Sequence, residues 1–104
     1  MEWKESNPFE TAIFAAELGD APSLDLHGMS VDVALSQLDA FINHEFVEGT
    51  EAVHIIHGRG TGKLRDAIHA WLKKNTEMVA AYRDARDPRK MGGVTIAALH
   101  RSKK

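Results

Sequence analysis

The sequence predicts an α/β domain (an α+β sandwich): a four-stranded mixed sheet in the order β-α-β-α-β-β, with two main helices and one further helix ahead of them. Three observations lead there. Short alternating or β-branched stretches are separated by longer ones whose apolar residues recur at helical spacing. Glycine or serine marks most junctions between the two kinds of stretch. Strand–helix–strand runs make parallel neighbours, whereas a hairpin-length connection makes antiparallel ones.

Asn7-Pro8 has the form of an N-cap followed by proline at the first helical position. Phe9, Ile13, Phe14 and Leu18 continue at helical spacing until Gly19, so a helix over 8–18 is expected, packed within the chain. Ala21-Pro22-Ser23 reads as a linker. Leu24-Asp25-Leu26-His27 alternates as a half-buried strand does, and Gly28 ends it. Ser30 caps the next helix, where Val31, Leu35, Leu38, Ile42 and Phe46 form one stripe, and Gly49 stands where a C-terminal glycine belongs.

Val53-His54-Ile55-Ile56-His57 is β-branched and reads as an interior strand. Leu64, Ile68, Trp71 and Leu72 mark the following helix. Lys73 and Lys74 close it, where cations favour the helix dipole. Strands over Met78–Arg83 and Val94–Leu99 follow, joined by a basic loop from Ala85 to Gly93. With two main helices on one face, the other face is expected to stay partly open, or the extra helix to cover an edge. His44 and His69 are expected to be solvated helix residues. The chain divides into an extension over 1–21, the main domain over 22–100 and a basic tail over 101–104.

Composition excludes several classes. There is no cysteine among the 104 residues, so disulfides, thiol nucleophiles and thiolate metal sites are ruled out. No apolar run approaches the roughly 18 residues of a membrane span, and Met1–Glu5 lacks the features of a signal peptide. A cytoplasmic protein, with a monomer favoured, is the expectation. The net charge of −2 conceals a split: residues 1–50 hold one base and ten acids, residues 51–104 twelve bases and five acids. Such asymmetry points to one face for a polyanion.

His57-Gly58-Arg59-Gly60-Thr61-Gly62-Lys63 lies directly after a strand and before a helix. Glycine permits positive φ and close backbone approach. A helix start offers unpaired N–H groups and partial positive charge, which together attract phosphate. Arg59, Lys63 and Arg65 add cations, and Thr61 can cap the helix. The spacing does not fit a P-loop, because three residues rather than four separate Gly58 from Gly62 and Leu64 follows Lys63. G-x-G-x-G also departs from the dinucleotide fingerprint. Glycines serving turn geometry alone are the bland alternative.

Alternation along a strand puts Asp25 and His27 on one face. The carboxylate can orient the imidazole or bind a divalent ion such as Mg²⁺, and an imidazole exchanges protons near neutral pH. The parallel arrangement brings this strand end to the sheet edge where the glycine turn opens and where His57 could join. His54 and His57 face opposite ways, and no histidine spacing fits a standard structural zinc site.

Leu24-Asp25-Leu26-His27-Gly28, Val53–His57, Gly58-Arg59-Gly60-Thr61-Gly62-Lys63-Leu64-Arg65 and Gly93-Val94-Thr95-Ile96 together resemble the small MutS-related (Smr) domain, over about residues 22–100. The MutS ATPase parts are absent, as in a stand-alone Smr protein. The resemblance implies a fold similar to the C-terminal domain of translation initiation factor 3. It also implies binding of DNA or RNA and, in several members, endonuclease activity. The implied site is Asp25 and His27 with His57, Gly58, Gly60 and Gly62. Two functions follow as expectations: a phosphodiester-cleaving endonuclease, or a nucleic-acid or ribosome-binding module without chemistry. In the first, Asp25, His27 and His57 are catalytic, and Gly58, Arg59, Gly60, Thr61, Gly62, Lys63 and Arg65 hold phosphate. No cofactor is certain, with Mg²⁺ on Asp25 the candidate.

Overall fold

A computed structural model describes residues 7–102. Residues 1–6, which include Met1–Glu5, and the tail residues Lys103 and Lys104 lie outside that span. The order is α1 (Pro8–Leu18), β1 (Ser23–Asp25), α2 (Val31–Glu48), β2 (Ala52–Ile56), α3 (Lys63–Lys74), β3 (Val79–Asp84) and β4 (Val94–Leu99). The four strands form one mixed sheet in the spatial order β1-β2-β4-β3. β1 runs parallel to β2, and β4 runs antiparallel to both β2 and β3. The predicted fold class and element order are therefore those observed.

Local chemistry sets the boundaries. The Asn7 side chain accepts from the Phe9 N–H at 2.8 Å, and Pro8 occupies the first turn of α1. Ser30 caps α2, and Gly49 ends it at φ 84°, the left-handed conformation that favours glycine. No helix of the described residues is long and apolar enough to cross a membrane.

Period-two alternation divides the core between two faces. Val53 and Ile55 of β2, with Ala97 and Leu99 of β4, join Leu38, Ile42, Ile68 and Leu72 of α2 and α3. Ala52, Val94, Ile96 and Ala98 point the other way and meet Ile13 and Ala16 of α1. This corrects the expectation of an open face or a covered edge: α1 lies on the second face and makes the sheet a middle layer. The reason is β4. All six of its residues are buried, so both faces of its central position need cover.

α1 also carries a polar clamp. Glu17, its side chain 7% exposed, accepts from Arg83 Nη1 at 3.0 Å and from the backbone N–H groups of Arg86 and Asp87 at 2.6 and 2.7 Å. Burial alone would raise its pKa. The donors from Asp87, Arg83 and Arg86 outweigh that and hold the carboxyl below its ordinary value. His54 Nε2 adds a bond to the Ala16 carbonyl at 2.9 Å. The basic loop is thus pinned at its start. Glu17→Ala is expected to cost about 2 kcal/mol, the scale of charge-assisted hydrogen bonds lost from a covered site. Denaturant unfolding measures this, and amide exchange should quicken at Arg86 and Asp87 before it quickens in α2.

Candidate nucleic-acid interface

The parallel β1–β2 pair brings both C-terminal strand ends to one edge of the sheet. Because β4 is antiparallel to its neighbours, its N-terminal residues Val94 and Thr95 arrive at that edge, as does Asp84 at the end of β3. β1 ends at Asp25, so His27 stands just beyond the strand. The two side chains meet nevertheless. Asp25 Oδ1 accepts from the His27 backbone N–H at 3.1 Å and lies 2.6 Å from His27 Nδ1. The ring contact, then the backbone N–H, hold the Asp25 carboxyl below its usual value. With Nδ1 engaged, Nε2 is the ring nitrogen left for other partners.

The glycine turn packs directly against this pair. Gly58 has φ 80°, and a Cβ built on it would lie 3.2 Å from His27 Cβ. Conformation favours glycine there, and a Cβ would fit only if His27 gave way by a few tenths of an ångström. Gly60 and Gly62 also have positive φ, at 30° and 88°, while no non-glycine residue among the described residues does. Such alternation of φ sign curls successive N–H groups into an anion-binding nest. Among the described residues, the N–H groups of Gly60, Thr61 and Gly62 meet no acceptor. Gly62 is the N-cap of α3 without a side-chain bond, and Thr61 Oγ1 accepts from the Lys63 N–H at 3.3 Å. The cap residue Ser30 and the first residues of α2, Val31 and Asp32, border the same groove of about 670 Å³, so two helix starts flank it.

The predicted cations have different partners. Arg59 donates from Nε to the Met91 carbonyl at 3.0 Å and from Nη2 to the Arg89 carbonyl at 2.9 Å. It ties the turn to the far end of the basic loop. Arg65 forks onto Asp84, with Nε–Oδ1 3.2 Å and Nη2–Oδ2 2.7 Å, and reaches Asp66 at 3.3 Å. This fork holds the Asp84 carboxyl low. Lys63 is exposed and makes no ion pair among the described residues. In the loop, Arg89 pairs with Asp87 and draws its carboxyl down to about 2.

His57 does not join Asp25 and His27. Its side chain is buried behind the turn, with Nδ1 3.0 Å from the Gly58 carbonyl and Nε2 2.8 Å from Thr95 Oγ1. His69 Nε2 lies 2.7 Å from the same hydroxyl and 3.6 Å from Asp84 Oδ1. His69 is therefore not the solvated residue expected: it turns inward because Thr95 and Asp84 offer partners at this edge. Its expected companion His44 is exposed. His57, His69 and Asp84 have the composition of a metal site. Thr95 sits on both imidazoles and Arg65 covers the carboxylate, so protein groups already fill that donor set. The sequence reading gave no structural role to Thr95, Asp84 or Glu17 and an outward one to His69. The one hint was Thr95, a lone polar residue in an otherwise apolar strand.

The Smr domain family matches residues 24–100, from the start of β1 to just past β4. The chain belongs to that family. Endonuclease MutS2 of Halothermothrix orenii is 43% identical over 79 residues, 76% of this chain but 10% of that protein. This Smr chain thus spans about a tenth of the length of the curated relatives it matches. The Smr domain of Thermus thermophilus MutS2 superposes with a TM-score of 0.73 at 32% identity, covering 77% of this chain and 99% of that one. YdaL, a stand-alone small MutS-related protein from Escherichia coli, gives 0.72 at 27% identity, covering 86% and 75%.

Two outcomes follow. Burial pushes both His57 and His69 below the ordinary imidazole value of 6.5. Between that value and their lower folded ones, the unfolded state holds more protons. Their contribution to stability is therefore complete above pH 6.5 and lost as pH falls below it. Urea midpoints should drop from pH 7.5 to 5.5, less steeply in His69→Gln. Gly58→Ala should cost about 1–3 kcal/mol from positive φ alone, with NMR shifts spreading to His27.

Proposed function

We propose that this Smr domain grips the phosphate backbone of a nucleic acid at the glycine turn and cleaves it as an endonuclease. The observation that carries the reading is the packing of Gly58 on His27. It places an imidazole, with Nδ1 held by a carboxylate, against a run of unpaired N–H groups. That juxtaposition suits phosphodiester chemistry. His27 Nε2 takes the proton from an attacking hydroxyl or returns one to the leaving oxygen. Asp25 orients the ring and offsets its charge when protonated, and the N–H groups stabilise charge on the pentavalent phosphorus.

The binding residues have unequal parts. Gly58, Gly60, Thr61 and Gly62 supply backbone geometry and donors. Lys63 supplies the mobile charge. Arg59, through its remaining amine, and Arg65, beside the helix start, add positive potential while bracing the turn. His57 acts from behind the turn. A Mg²⁺ ion on Asp25 would rest on a carboxylate whose Oδ1 already meets His27 twice, a donor set poor for two metals. It would add charge stabilisation at the phosphate.

The test is cleavage of matched single-stranded DNA and RNA, with and without Mg²⁺, by nuclease-free preparations. His27→Ala should slow cleavage roughly a hundred-fold or more while binding stays near wild type. Wild-type binding without turnover would make the domain a non-catalytic nucleic-acid or ribosome-binding module. Lys63→Ala should weaken binding at low salt and reduce the slope of log K against log salt by about 0.7–0.9, the share of one phosphate contact.

A further inference from the structure

The hydrogen bonds behind the glycine turn admit one direction only. The Gly58 carbonyl cannot donate, so the His57 Nδ1 that lies 3.0 Å from it carries a proton. In the neutral ring Nε2 is then an acceptor, and Thr95 Oγ1 donates to it across 2.8 Å. A hydroxyl has one proton. His69 Nε2, 2.7 Å from that same oxygen, must therefore be the donor to it. Its N–H also faces Asp84 Oδ1 at 3.6 Å, which favours a proton there. No buried side-chain polar atom among the described residues is left unpaired, so the chain is complete.

The last link has a consequence for the nest. A trans peptide unit is planar, with its C=O and N–H pointing opposite ways, and the described residues contain no cis bond. Fixing the Gly58 carbonyl toward His57 therefore aims the Arg59 N–H the opposite way, away from the histidine cluster. That N–H has no acceptor among the described residues.

We propose that Thr95 and His69 are positioning residues, which hold His57 in the Nδ1–H tautomer so that it orients the Gly58–Arg59 peptide and aims the first donor of the anion nest. The tautomer is independent of any ligand, whereas the effect on binding rests on the proposed phosphate function.

Ring ¹⁵N–¹H correlation spectra of the wild-type protein at pH 7.5 should show Nδ1–H at His57 and Nε2–H at His69. Nε2–H at His57 overturns the proposal, whatever any variant does. Thr95→Val removes the hydroxyl and keeps the shape. It should give mixed tautomers at His57 and move the Arg59 amide resonance. It should also weaken inorganic phosphate, followed by amide shifts, roughly three- to ten-fold, the weight of one misdirected hydrogen bond. Thr95→Ser should restore all three. A folded Thr95→Val that keeps the single tautomer and the Arg59 resonance overturns the proposal. The expected tautomers without phosphate binding in the wild type would instead count against the proposed function alone.

Discussion

The contact between the Gly58 backbone and the His27 side chain is the constraint around which this end of the molecule is built. A Cβ at position 58 would intrude on His27, and φ at 58 is positive, so sterics and conformation coincide. The consequences reach several elements. β1 must stop at Asp25 so that His27 can leave the sheet. The turn must pass close beneath it. The Gly93 carbonyl then receives both the His57 and Gly58 N–H groups at 3.0 Å, tying the start of β4 to the same point. Four strand ends and two helix starts meet there because the sheet mixes parallel and antiparallel pairing.

Electrostatics at this edge differ from the picture that charge counting draws. The basic half of the sequence does not present its cations as one free patch. Arg65 is spent on Asp84 and Asp66, Arg83 on Glu17, Arg89 on Asp87, and Arg59 on two carbonyls. What faces outward at the turn is mainly backbone dipole, with Lys63 as its mobile charge. A site of that kind selects by geometry as well as by charge, because its donors are fixed in position.

How much of this the sequence revealed depended on whether the signal was local. Capping residues, glycines and periodicity are local, and they placed every element to within a residue or two and brought the motifs at Asp25–His27 and 57–63 to one edge. The long-range partners were not legible. Nothing near Arg59 in sequence shows that Met91 and Arg89 will receive it. Nothing near His69 shows that Thr95, on the opposite side of the helix–strand connection, will turn it inward. The position of α1 was equally hidden, since its apolar residues could have covered an edge or a face. Alternation within β4 decided the matter, and the both-sided burial of that strand is a property of the sheet order.

The interface beneath α1 joins apolar contact to polar ties. Ala12 and Ala16 of α1 share a cluster with Ala52, Ala81, Ala85 and Ala98, beside the larger Ile13, Val94 and Ile96. Glu17 and the His54 bond to Ala16 add polar ties to that apolar contact. Lifting α1 would release the start of the basic loop and, through Arg89 and Met91, the far anchor of Arg59. A helix outside the family's matched span is thereby tied, through the basic loop, to the residue that braces the glycine turn.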